Sequence, residues 1–186
     1  MAALSPPVCD FGWVAPDFSL PDTNARVHTR ASLAGEKGLL IMFLCNHCPY
    51  VQAILPRLAA ECRVLRDLGI GVAAIMSNDV EAYPEDAPAR MKALAEKLAF
   101  SFPYLYDREQ SVARAYGAVC TPDFFGFDAA LSLRYRGRFD GSGMGQSANS
   151  GAESDLLMAM RAIAETGEGP AEQRASIGCS IKWKSA

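Results

Sequence analysis

The chain has 186 residues, half of them apolar and about a fifth charged, with a net charge of −3. That length supports one domain with its own core, and the composition is that of an ordinary globular protein. No basic block points to nucleic acid or an anionic membrane surface, and no apolar run approaches the roughly 20 residues of a spanning helix.

In chain order, the first thirty residues read as an extended lead-in. Ala15-Pro16-Asp17-Phe18-Ser19-Leu20 alternates, and Pro21-Asp22-Thr23-Asn24 turns. Met1 to Asp10 carries neither a basic nor an apolar signal region, so a cytoplasmic location is expected. The short, continuous apolar run Leu39 to Leu44 predicts a buried strand. Val51, Ile54, Leu55, Leu58, Cys62 and Leu65 then share one helical face, with Pro56 expected to kink the helix and Gly69 to end it. Ile70 to Met76 is a second apolar strand finishing at Ser77-Asn78-Asp79. A polar loop, Val80 to Ala87, leads to Pro88 in a first helical turn, with Met91, Leu94 and Leu98 as the apolar face. Phe102 to Tyr106 predicts a short strand. Asp107 and Gln110 resemble a helix start, and Gly117 ends that helix. Asp123 to Phe127 and Leu131 to Arg136 predict an antiparallel hairpin around Asp128-Ala129-Ala130. After the Gly/Ser-rich stretch from Arg138, Ser150 and Glu153 have capping-box spacing before a helix carrying Leu156, Leu157, Met160 and Ile163. Gly167 to Ala186 has no clear periodicity. The order predicts an α/β fold with a central mixed β-sheet flanked by helices, an N-terminal extension and a C-terminal tail, in one domain over 1–186.

The most informative stretch is Cys45-Asn46-His47-Cys48-Pro49, at the junction of the first strand and the first long helix. Residues i and i+3 in a first helical turn bring two sulfurs together, and the helix N-terminus favours thiolate. Six cysteines are too few for a disulfide scaffold, so a close pair points to redox chemistry or metal binding. Zinc would need two more ligands, and the sequence has no second C-x-x-C or H-x-x-H. Inert packing is the remaining reading.

Several segments resemble the thioredoxin superfamily, within it the redoxin or peroxiredoxin-like group. Ala15-Pro16-Asp17-Phe18-Ser19-Leu20 is similar to that group's opening segment. Phe43-Leu44-Cys45-Asn46-His47-Cys48-Pro49-Tyr50-Val51 is similar to its motif. Phe102-Pro103-Tyr104-Leu105-Tyr106-Asp107, Cys120-Thr121-Pro122-Asp123-Phe124-Phe125, Tyr135-Arg136-Gly137-Arg138-Phe139-Asp140 and Ile177-Gly178-Cys179-Ser180-Ile181-Lys182-Trp183-Lys184 match later segments. The chain departs from thioredoxins in having Leu44 before the motif and Asn46-His47 within it. It departs from peroxiredoxins in having Cys45 where they carry Thr.

The resemblance implies a thioredoxin-like fold and a thiol-disulfide oxidoreductase working through Cys45 and Cys48, with no organic cofactor and no metal. Its partners would be a protein or small-molecule disulfide and an external thiol reductant. Cys45 is the expected attacking thiol and Cys48 the resolving one. In a thiol peroxidase acting on hydroperoxides the roles exchange, and Cys48 becomes the sulfenic acid. A third reading is a non-catalytic redox sensor. His47 is expected to supply a cation to the thiolate. Pro122 is the expected cis-proline, with the Thr121 backbone pairing to an extended substrate. Cys120 is a candidate third thiol or a buried packing residue. The role of Cys179, in the tail, stays open. Cys62 reads as core. Asn78 and Asp79 either line the site or cap the next turn. Arg136 and Arg138 read as a solvated strand end or an anion site, Trp183 as tail packing, and His28 as an exposed loop residue.

Overall fold

The computed structural model describes residues 3–6, 11–141 and 153–185. The chain forms β1 (Ala3–Leu4), β2 (Ser19–Pro21), β3 (Val27–Thr29), α1 (Arg30–Leu33), β4 (Gly38–Phe43), α2 (Pro49–Asp67) and β5 (Ile70–Met76). There follow α3 (Pro88–Lys97), β6 (Tyr104–Tyr106), α4 (Ser111–Tyr116), β7 (Cys120–Thr121), β8 (Asp123–Phe127), β9 (Leu133–Tyr135), α5 (Asp155–Thr166) and β10 (Gly178–Ser180).

The central sheet has the order β6-β5-β4-β8-β9. β4, β5 and β6 run parallel, and β8 and β9 antiparallel to their neighbours. β4 is buried at every position because helices cover both faces of the sheet. Side chains alternate across it: Leu40 and Met42 pack with α2 and α5, while Leu39, Ile41 and Phe43 pack with α4 and the lead-in segment around Phe18. This is the mixed, helix-flanked sheet of a thioredoxin-like fold.

α2 buries the six predicted apolar residues, runs through Pro56, and stops before Gly69 at φ +88°. Gly71 in β5 lies where the chain passes the α1 end most closely, and a Cβ there would sit 1.8 Å from the Leu33 carbonyl oxygen. Gly71→Ala should therefore destabilise by about 1–3 kcal/mol, the range for overpacking. A lower urea midpoint at unchanged m-value checks it.

Several expectations change. The strand at Phe102 shortens to Tyr104–Tyr106, since Pro103 offers no amide and only its carbonyl joins β5, at 3.0 Å from the Ala74 nitrogen. β9 begins at Leu133 because Leu131 sits in the turn at φ +61°. α5 is capped by Ser154, whose hydroxyl accepts from the Leu157 amide; Ser150 lies outside the described residues, as does Cys9. His28 lies in β3 and bonds Asp22 at 2.9 Å. The aperiodic tail contains β10, the middle strand of a second sheet ordered β1-β10-β7.

Candidate active site

Proline decides where α2 starts. Pro49 occupies its first turn, so Cys48 becomes the N-cap and Cys45 falls in the loop before the helix. The expected placement of both cysteines in the first helical turn is thus corrected: only Cys48 meets the helix N-terminus. Both are buried, and each sulfur also faces the end of β7. Cys45 Sγ lies 3.1 Å from Thr121 Oγ1, and Cys48 Sγ lies 3.1 Å from the Thr121 carbonyl oxygen. The Thr121–Pro122 peptide bond is cis.

The loop holding the pair is fastened by a residue that the sequence pattern did not single out. Asp86 is fully buried and accepts four hydrogen bonds. Its Oδ1 takes the Asn46 amide at 2.7 Å and the His47 amide at 3.3 Å. Its Oδ2 takes His47 Nδ1 at 2.8 Å and Asn78 Nδ2 at 2.7 Å. An acceptor-only carboxylate fixes Nδ1 as the protonated ring nitrogen. The ring stacks on Tyr83, centroids 5.3 Å apart, and His47 Nε2 is buried with no hydrogen-bond partner among the described residues. Asn46 is tied further, donating to the Glu85 carbonyl at 2.9 Å and accepting from Tyr104 at 3.2 Å. Asn78 supports the site, while the Asp79 carboxylate caps the next turn through the Glu81 amide at 3.1 Å.

Charge divides unequally over the two sulfurs. The Cys45 thiol donates to Cys48, and this, with desolvation and the nearby Asp86 carboxylate, pushes the Cys45 pKa far up. Cys48 goes the other way, to about 5. Donation from Cys45 contributes most, and Cys179 and the Val51 amide in the first turn of α2 add to it against desolvation. The Thr121 carbonyl opposes an anion at Cys48, but these donors outweigh it. The thiolate expected on Cys45 therefore belongs to Cys48, because Cys48 holds the helix N-terminus and Cys45 faces Asp86. His47 gives its donor to Asp86 instead of to a sulfur.

Other expected residues are placed differently. Thr121 turns its side chain to Cys45, so Cys120, its neighbour in β7, must point to the other face. Its sulfur meets the Pro122 carbonyl at 3.6 Å, and it makes no hydrogen bond to another thiol among the described residues. Burial pushes its pKa up. The sulfur that does join the pair is Cys179, 2.9 Å from Cys48 Sγ. β10 brings it there by pairing with β7, Cys179 opposite Thr121. The edge expected to hold an extended substrate at Thr121 is thus covered by the chain's own tail. Arg136 is buried against Asp123 at 3.0 Å, and Arg138 pairs with Asp155 at 2.7 Å, so the two do not form the expected solvated end. Trp183 packs under Arg114, 4.4 Å from guanidinium to ring. Cys62 is core.

Cys45, His47 and Asp86 each place one possible metal-ligand atom within 4.8 Å of the others. Zinc would need a fourth ligand, and binding there would compete with the hydrogen bonds that already fill the Asp86 oxygens. A groove of about 440 Å³ opens beside Pro122, lined by Tyr50, Ile54, Phe139 and Ile177 with Arg138 and Arg174 at its side.

The AhpC/TSA family model matches residues 11–136. The crystal structure of an uncharacterized conserved protein from Geobacillus kaustophilus is 40% identical, covers 100% of this chain and 98% of that one, and superposes with a TM-score of 0.91. A hypothetical protein from Sinorhizobium meliloti 1021 is 38% identical over 98% and 99% of the two chains, also at 0.91. Among curated proteins, the thiol-disulfide oxidoreductase ResA of Geobacillus thermodenitrificans (strain NG80-2) is 26% identical over 117 residues. That match spans 63% of this chain and 63% of the relative's length. No helix of the described residues is long and apolar enough to cross a membrane.

Proposed function

The chain belongs to the AhpC/TSA family of the thioredoxin superfamily, and from that premise we propose that it is a thiol-disulfide oxidoreductase, one domain over 1–186, working through Cys45 and Cys48. The observation that carries this reading is the placement of two buried thiols on one residue, Cys45 Sγ 3.1 Å from Thr121 Oγ1 and Cys48 Sγ, at the N-cap of α2, 3.1 Å from the Thr121 carbonyl oxygen. Cys48 attacks one sulfur of a disulfide substrate, and Cys45 resolves the mixed disulfide. This reverses the expected order of attack. His47 is the proton-handling side chain, since Asp86 holds Nδ1 and Nε2 has no partner among the described residues. A stabilised Cys48 thiolate makes its disulfides readily reduced, which eases the step that regenerates the dithiol.

The groove beside Pro122 falls in the size range of pockets for small organic or peptide ligands. It favours a disulfide over hydrogen peroxide as substrate. An external thiol reductant closes the cycle, and a cytoplasmic setting fits a cysteine count too low for a disulfide scaffold.

A second reading, a thiol peroxidase, rests on the same lowered Cys48 and on the family. One comparison separates the two: the rate at which reduced protein loses thiols to one equivalent of hydrogen peroxide, beside free cysteine at the same pH. A rate near the control is expected. A rate orders of magnitude above it would overturn the disulfide reading in favour of the peroxidase.

A further inference from the structure

Three sulfurs meet at the end of β7. Cys179 Sγ lies 2.9 Å from Cys48 Sγ, and Cys179 is 2% exposed. Its position is built by the backbone. Cys179 pairs with Thr121 and Ser180 with Cys120, and the Ile181 amide continues the ladder to the Val119 carbonyl at 3.0 Å. β1 covers the far edge, Ala3 opposite Cys179. Beyond β10 the tail is tied at Lys182, whose amide donates to Asn78 Oδ1 at 2.8 Å, and at Lys184, whose amide donates to Gln110 at 2.8 Å. Gly178 permits the approach: a Cβ there would sit 2.1 Å from the Thr121 carbonyl oxygen. The tail thus fills this edge of β7 and presents a cysteine to Cys48 there.

We propose that Cys179 is a third redox thiol of this site, which resolves mixed disulfides on Cys48 and leaves a Cys48–Cys179 disulfide. The proposal rests on the dithiol reading above and extends it. Cys48 thiolate first attacks a disulfide R–S–S–R, forming Cys48–S–S–R and releasing RS⁻. The Cys179 sulfur then attacks Cys48 Sγ. The Cys48–Cys179 bond forms, the S–S bond between Cys48 Sγ and the sulfur borne by R breaks, and the second RS⁻ leaves with the proton that Cys179 gives up. Two protein thiols are oxidised and one disulfide is reduced to two thiols. Cys45 can perform the same displacement from the other side, so Cys48 has two alternative resolving partners.

The test uses 4,4′-dithiodipyridine, one equivalent per chain, in a Cys9→Ser background. Release of thiopyridone is followed optically, and disulfide-linked peptides are then mapped. Cys45→Ser should release a second thiopyridone after the first and yield a Cys48–Cys179 peptide. The wild type should yield that peptide too. Cys45→Ser/Cys179→Ser should stop after the first release with Cys48 labelled. Cys45→Ser/Gly178→Ala should also stop there, since the added methyl drives β10 off β7. The proposal is overturned if Cys45→Ser stalls with Cys48 labelled and the wild type yields only a Cys45–Cys48 peptide. A wild type that releases no thiopyridone at all would instead sink the dithiol reading beneath it.

Discussion

Asp86→Ala lowers the melting temperature by roughly 6–20 °C. Asp86 is fully buried and is the shared acceptor for two backbone amides, His47 Nδ1 and Asn78 Nδ2. Removing it leaves four donors without their acceptor, one buried and three part-buried, and losing one side of a buried charged network costs about 3–5 kcal/mol. A chain of this size loses about 2–4 °C per kcal/mol. Thermal unfolding followed by circular dichroism measures it, and a shift under 2 °C would mean that the loop holds itself in place. Asp86→Asn should lose less, because one oxygen still accepts and His47 can change tautomer. Its informative readout is chemical. Without the carboxylate that pushes the Cys45 thiol up, a larger share of an alkylating label should land on Cys45. A merely structural Asp86 would leave that share unchanged.

The second large effect is the pH dependence of Cys48. A thiol at about 5 is almost wholly thiolate at pH 7, whereas free cysteine near 8.5 is about 3% ionised, a roughly 30-fold difference. Nucleophilicity falls with pKa, however. A drop of roughly 3.5 units at a Brønsted coefficient near 0.45 costs about 40-fold per thiolate. The two effects nearly cancel at pH 7, so Cys48 attacks a small disulfide no faster there than free cysteine. At pH 5 the thiolate ratio exceeds about 1000-fold, and Cys48 should then win by roughly 40-fold. Competition between the protein and free cysteine for dithiodipyridine across that range reads the ratio directly.

Much of the fold is legible because its central strands are short, continuous apolar runs that have no amphipathic alternative. Ile70 to Met76 and Asp123 to Phe127 have the same bounds in the structure as in the pattern. The C-x-x-C also falls at the expected strand-to-helix junction. What was not legible depends on contacts distant in sequence or on strands too short to show a period. Asp86 sits in a polar loop and meets Asn46 and His47 from about 40 residues away. Only Asn78, marked beforehand, pointed toward it. β10 is three residues long and pairs with a strand of two, so no alternation announces it. Gly178 beside Cys179 was the available sign of a close backbone approach. Of the two alternatives open for Cys120, strand parity favours the packing residue, since Thr121 already takes the face toward the pair. The charge was assigned to Cys45 on the assumption that it opened the helix, and Pro49 gives that position to Cys48.

The central claim is that one thiolate, on Cys48, powers this site. The measurement that tests it most directly is the pH profile of irreversible alkylation by iodoacetamide, read residue by residue on peptides from wild type and Cys48→Ser. The account predicts a midpoint near 5 on Cys48 and its disappearance in Cys48→Ser. A midpoint of 8 to 9 on Cys48, or an acidic midpoint that survives on Cys45 in the variant, would contradict it.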